Sequence, residues 1–220
     1  MFLHGYLSSG DSFARQTHYF RREYDVFAPD LKGFGKNVPM KKPYSLSDYI
    51  KEVEEYKYKH SIKKPHVIAH SFGGRIAIKA AAENPDFCDK LVLAGAAGLK
   101  PKDTVYKIGK RAAFKVLKRF FPKEKLKWFY SKDYLALDDV MKESFRLIIN
   151  EHLDDKIGKI KNPTLVIFGE NDKETPVYMA KRLFNGIENS RLIILPKAGH
   201  FCFIDKPAKF NTEVREFLLS

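Results

Sequence analysis

At 220 residues, the chain has the length of one domain, or of one domain carrying an insertion, and can bury a sizeable apolar core. A hydrophobic fraction of 44% with 18 Phe and 11 Tyr excludes a disordered or fibrous protein. The net charge of +13 speaks to solubility and non-specific association, and no nucleic-acid-binding motif accompanies it, so a nucleic-acid partner is not expected.

Short apolar runs alternate with amphipathic stretches, the pattern of βαβ units around a mostly parallel sheet flanked by helices. Strands are predicted at about Met1 to His4, Asp25 to Ala28, His66 to Ala69, Leu91 to Ala94, Thr164 to Gly169 and Leu192 to Leu195. Ser45 followed by Asp48 forms a capping-box pattern that opens a helix through about Tyr58. A second helix is expected from Phe72 to Glu83, stopped near Asn84-Pro85.

A segment of some sixty residues, about Leu99 to Lys159, separates the Leu91 and Thr164 strands, far more than such connections need. The expected organisation is therefore a core of residues 1–98 and 160–220 with a helical cap inserted at 99–159. Within the cap, Val105, Ile108, Ala112, Val116, Leu117 and Phe120 share one helical face. Between Lys100 and Lys127 stand eleven Lys or Arg against Asp103 and Glu124, which reads as a solvated face or as attraction for acidic substrates and anionic headgroups.

No apolar run approaches the roughly 20 residues that cross a bilayer, so stable membrane insertion is not expected. The opening MFLHGYLSSG lacks a basic segment followed by a long apolar one, and the expected location is cytoplasmic. Cys88 and Cys202 have neither disulfide-framework nor zinc-site spacing and read as packed thiols, and no metal is expected.

Chemistry concentrates in loops that follow strands. HVIAHSFGG, His66 to Gly74, sets Ser71 between a strand and a helix, with Ala69 two residues before it and Gly73 two after. A sharp nucleophile-bearing turn needs small residues at those positions so that strand and helix backbones can approach. Alone, the pattern should arise in roughly one chain in five. Its place between strand and helix gives it weight.

A hydroxyl becomes a nucleophile when an imidazole takes its proton, and a carboxylate must hold that imidazole in the right tautomer. FGENDKETP runs from a strand into a loop carrying Asp172, and LPKAGHF places His200 after another strand. Ser71, Asp172 and His200 thus follow strand C-termini, whose loops meet at one sheet edge in open α/β folds. The natural backbone donors to a developing oxyanion are the N–H groups of Phe72, after the serine, and Tyr6, after the His4-Gly5 strand end. His4 reads as a structural loop residue, while His70 and His152 are candidates to line a pocket.

HGYLSSG, APDLKGFG, AHSFGG, FGENDKETP and AGHF resemble, in order and over nearly the whole chain, the signature segments of the α/β-hydrolase superfamily. The resemblance implies triad roles for Ser71, His200 and Asp172, oxyanion donors at Tyr6 and Phe72, a lid at Leu99 to Lys159, and no cofactor. Family members carry a strand pair before the His-Gly strand, and this sequence starts almost at that strand. The activity implied is hydrolysis of a small carboxylic ester or other acyl substrate, an anionic one being favoured if the basic stretch acts in attraction. Carbon–carbon bond hydrolysis, lactone opening, perhydrolysis and a lyase step of menaquinone biosynthesis remain open on the same triad. Ser71 argues against the dehalogenases and epoxide hydrolases of similar pattern, which use an aspartate nucleophile. An intact triad argues against a non-catalytic binding protein.

Overall fold

A computed structural model describes residues 1–102 and 132–220 of the chain. Among them, β1 (Phe2–Leu3), β2 (Val67–His70), β3 (Leu91–Ala94), β4 (Thr164–Gly169) and β5 (Ser190–Leu195) form a sheet in that order, every pairing parallel.

Near-continuous apolar strands require cover on both faces, and the burial divides as a period of two demands. Leu3, Val67, Ala69, Leu91, Leu93, Val166 and Phe168 pack on one side, with residues of α2 (Leu46–Lys59), α3 (Phe72–Glu83) and α6 (Val177–Gly186). Phe2, Ile68, Val92, Ala94, Leu165, Ile167 and Leu195 pack on the other. There they meet Phe20 of α1 (Ala14–Phe20), Cys202 and Phe203 of α7 (Cys202–Asp205), and Phe210, Val214, Phe217 and Leu218 of α8 (Pro207–Leu219). The α/β architecture expected from the sequence is the one observed.

The predicted helix starts and stops hold where local chemistry dictates them. At the start of α2, Asp48 N–H donates to Ser45 Oγ at 3.3 Å and Ser45 N–H donates to Asp48 Oδ2 at 2.8 Å. Helix α3 ends at Asn84, whose extended backbone (φ −142°, ψ 105°) is what a following proline prefers.

The strand expected at Asp25 to Ala28 does not form. Phe27 accepts from Phe2 N–H at 2.8 Å, but β1 beside it spans two residues and offers no ladder to extend, and Pro29 then removes a donor. The last predicted strand begins two residues earlier than expected, at Ser190.

Between β3 and β4 lie α4 (Lys132–Ala136) and α5 (Asp139–Asn150). Asp138 caps α5, its Oδ1 accepting from Met141 N–H at 2.7 Å. Arg75 of α3 donates from Nη1 to the Ile148 and Glu151 carbonyls at 2.9 and 3.0 Å, satisfying acceptors that the helix end leaves free. Lys79 pairs with Glu151 at 2.6 Å, and Leu153 N–H donates to Gly98 O at 3.0 Å. The basic amphipathic stretch read at Val105 to Phe120 lies outside the described residues. Among the described residues, no helix is long and apolar enough to cross a membrane.

Candidate active site

Aligned register brings the carboxyl ends of the strands to one edge: His70 is opposite Ala94, and Ala94 opposite Ile167. The loops leaving that edge carry Gly5 to Leu7, Ser71, Asp172 to Thr175, and His200. Gly5 to Leu7, Ser71, Glu174, Thr175 and His200 of these loops line one cleft of about 620 Å³. Its described lining also includes His70 and Phe201, and Tyr134, Leu137 and Phe145 from the segment between β3 and β4.

Ser71 has φ 49° and ψ −107°, a left-handed conformation costing an L-residue about 1–3 kcal/mol unless its surroundings impose it. The surroundings do impose it. Ser71 N–H donates to Ala94 O at 3.2 Å, Ser71 O accepts from Ala97 N–H at 3.0 Å, and Gly73 N–H donates to His4 O at 3.0 Å. A Cβ on Gly73 would stand 2.3 Å from Leu3 O, so the small residue read two positions after the serine is a steric necessity. Leu7, another positive-φ residue (56°), also lines the cleft.

The surroundings of His200 are built differently. His200 Nδ1 lies 2.8 Å from Asp172 Oδ2, with the Asp172 side chain fully buried and the His200 side chain 15% exposed. Asp172 Oδ1 accepts from the N–H groups of Glu174 and Thr175, both at 2.9 Å. Thr175 Oγ1 stands 2.8 Å from Asp172 Oδ2, 3.0 Å from Gly95 O and 3.3 Å from His200 Nδ1. Burial pushes the Asp172 carboxyl pKa up. The hydrogen bonds from His200 and Thr175, together with the imidazole charge, push it down further, and the net shift is below the ordinary value. An ionised Asp172 places the proton on His200 Nδ1 and leaves Nε2 as the basic nitrogen.

Of the expected backbone donors, Phe72 opens α3, where an N–H has no carbonyl one turn back, and Tyr6 follows Gly5 in the loop after β1. That loop is held from beneath by His4. Leu31 N–H donates to His4 Nε2 at 3.0 Å, which leaves Nδ1 to donate to Gly5 O at 2.8 Å in a neutral ring. Burial keeps its pKa below the ordinary value, against the raising effects of the Gly5 carbonyl and Asp30. Tyr6 reaches across to α5, its hydroxyl donating to Met141 O at 3.2 Å, and its ring packs on Phe34, Phe72 and Phe145.

Of the two histidines read as pocket candidates, His70 lines the cleft and is 1% exposed. His152 is exposed and absent from the described lining, because the chain turns Leu153 into the core there and His152 outward. Sequence reasoning missed Thr175, although an aspartate followed two and three residues later by N–H donors to its side chain is the signal of an Asx turn. It also missed Glu174, the residue of the described cleft lining that carries a formal charge at neutral pH besides the titratable His200. Among the described residues, no group of three or more His, Cys, Asp or Glu side chains could hold a metal ion.

Comparison with known proteins bears on the family and the fold. Residues 1–131, more than half of the chain, match the family described as alpha/beta hydrolase fold, and residues 149–220 match one described as TAP-like protein. The chain is 27% identical to the uncharacterized hydrolase YugF of Bacillus subtilis, covering 98% of this chain and 88% of that one. It is 28% identical to a 2-hydroxy-6-oxononadienedioate/2-hydroxy-6-oxononatrienedioate hydrolase of Cupriavidus pinatubonensis, covering 89% and 76%. An esterase from Exiguobacterium antarcticum shares the fold with a TM-score of 0.78 at 23% identity, covering 100% of this chain and 91% of that one.

Proposed function

The chain belongs to the α/β-hydrolase family, and from that premise we propose that it is a serine hydrolase of small, uncharged carboxylic esters, with Ser71 as nucleophile, His200 as general base and Asp172 as its orienting acid. The observation that carries the reading is the conjunction, at one cleft, of a serine held at positive φ with His200, whose Nδ1 lies 2.8 Å from the buried Asp172 carboxylate.

In this reaction Ser71 Oγ bonds to the acyl carbon as its proton passes to His200 Nε2, and the carbonyl electron pair moves onto oxygen, facing the Tyr6 and Phe72 N–H groups. The tetrahedral species collapses, the bond to the alkoxy oxygen breaks, and His200 returns the proton to the departing alcohol. Water, deprotonated by His200, then attacks the acyl-enzyme, and Ser71 Oγ leaves with that proton. Residues 99–159 serve as the lid, Tyr134, Leu137 and Phe145 giving it an apolar inner face.

A second reading, carbon–carbon bond hydrolysis of an oxo-dienoic acid, draws on the name of the Cupriavidus relative, a 2-hydroxy-6-oxononadienedioate/2-hydroxy-6-oxononatrienedioate hydrolase. Against it, Glu174 in the cleft lining would face a substrate carboxylate. The test pairs a fluorophosphonate probe with two substrates, a p-nitrophenyl butyrate and a 2-hydroxy-6-oxo-dienoic acid. Ser71→Ala is expected to abolish labelling while the protein stays folded, and kcat/KM of the parent is expected to favour the ester by at least about tenfold, roughly 1.4 kcal/mol. Undiminished labelling of folded Ser71→Ala would displace the nucleophile, and a preference for the acid would install the second reading.

A further inference from the structure

We infer that His70 is a positioning residue for His200, acting through a hydrogen bond to its main-chain carbonyl that fixes the loop carrying the base; the inference rests on the triad reading above. His70 ends β2, immediately before Ser71, and only 1% of it is exposed. Its Nε2 lies 3.0 Å from the His200 carbonyl oxygen. A carbonyl accepts and never donates, so His70 Nε2 carries the hydrogen.

The ring is clamped around that bond. It stacks obliquely on the His200 ring at 4.7 Å and contacts Phe201 at 4.9 Å and Phe203 at 5.0 Å. Its Nδ1 is buried without a protein partner and faces Gly5, where a Cβ would approach to 2.9 Å. Burial, reinforced by His200, lowers the His70 pKa to about 3, against the raising effects of the His200 carbonyl and Asp172. The ring is thus a neutral, single-donor spacer. It adds no positive charge beside His200 when that imidazole takes the serine proton.

The geometry makes the device specific to the catalytic base. Asp172 holds the His200 side chain by Nδ1, and His70 holds the same residue by its backbone. Two anchors are needed because the loop carrying His200 belongs to no strand or long helix, whereas Ser71 is fixed by its own backbone. Because the anchor comes from the residue next to Ser71, nucleophile and base are referenced to one strand end.

The test compares His70→Phe, which keeps a ring without a donor, with His70→Gln, whose Nε2 can reach the carbonyl. His70→Phe is expected to lower kcat about 10- to 100-fold, the cost of a displaced catalytic group, with KM within about threefold. His70→Gln is expected to recover most of that loss. The far-downfield proton signal of the His200 Nδ1–H···Asp172 bond should weaken or shift in His70→Phe and return in His70→Gln. If His70→Phe does not fold, His70→Met serves as the donor-less variant with the same expectations. Parental kcat in a folded donor-less variant would overturn the inference, as would equal impairment of the donor-less and Gln variants, or a rise in KM alone. His200→Ala is the control that separates the two levels: its full activity would sink the triad itself, while its inactivity beside a parental donor-less variant would sink only the role of His70.

Discussion

The two halves of the candidate site are held by different physics. On the nucleophile side, position is a backbone property. Ser71 is forced to φ 49° by main-chain hydrogen bonds and by the close passage of α3 over β1, where Gly73 has room for no side chain. On the base side, position is a side-chain property. Asp172 collects two N–H donors, the Thr175 hydroxyl and His200; close backbone packing recurs here at Gly169, whose Cβ would meet Gly199 O at 2.2 Å, but not at Gly199 itself, beside His200. Substitutions that alter hydrogen-bonding chemistry should therefore act on the base side with little structural damage. Added volume should be costly at Gly73, two residues after the serine, and tolerated at Gly199, beside His200.

The largest effect expected from this contrast is Asp172→Asn. The backbone N–H groups of Glu174 and Thr175 would hold the amide oxygen in place of Oδ1, turning the amide NH₂ toward His200 Nδ1. That nitrogen would then have to accept, its proton would move to Nε2, and the base would be lost. A fall of about 10⁴-fold in kcat with the fold intact is expected. Steady-state hydrolysis of a p-nitrophenyl ester beside circular dichroism checks it, and activity within tenfold of the parent would break the claim that side-chain chemistry governs this half.

The complementary test adds one methyl group to each side. In Gly73→Ala the new Cβ would meet Leu3 O at 2.3 Å and its carbonyl carbon at 2.6 Å, both backbone atoms of the sheet. A loss of about 2–4 kcal/mol is expected, with activity falling alongside. In Gly199→Ala, beside His200, the nearest atom is Asp205 Oδ2 at 3.5 Å, an ordinary contact. Its cost should stay under about 1 kcal/mol. Denaturant midpoints of the two variants make the comparison, and similar losses at both glycines would erase the distinction.

Much of this division was readable beforehand, for reasons the residues make plain. The elbow needs small neighbours around its serine, and small residues are visible as letters, so Ala69, Ser71 and Gly73 were found directly. Strands buried on both faces appear as unbroken apolar runs, which is why Leu91–Ala94 and Thr164–Gly169 were bounded correctly. Asp25 to Ala28 has the composition of a strand, but pairing depends on the neighbour's length, and β1 is too short to support it. The Thr175 and His70 contacts escaped because they depend on tertiary approach: Thr175 Oγ1 meets Gly95 O eighty positions away, and His70 meets a carbonyl 130 positions away. Nor did spacing reveal that His152 faces outward, since that is decided by the burial of Leu153.

A smaller effect on turnover than that of Asp172→Asn is the most discriminating about how the base side is held. Thr175→Val removes the hydroxyl 2.8 Å from Asp172 Oδ2 and keeps the Thr175 N–H on Oδ1. Losing a hydrogen bond to a buried charged group should cost about 1.5–3 kcal/mol, and a roughly tenfold fall in kcat would accompany the looser carboxylate. The pH dependence carries the signature. Asp172 is held below its ordinary pKa, so its contribution to stability is present above the unfolded-state value and is lost as pH falls through the folded one. With one donor gone, the folded pKa should rise toward the ordinary carboxylate value, and less stabilisation remains to be lost in acid. The parent and Thr175→Val should therefore differ most in Tm near pH 7 and converge as pH falls below the ordinary Asp range. A gap that persists unchanged into acid would mean that the threonine acts by packing and by its contact with Gly95 O, and not through the charge of Asp172.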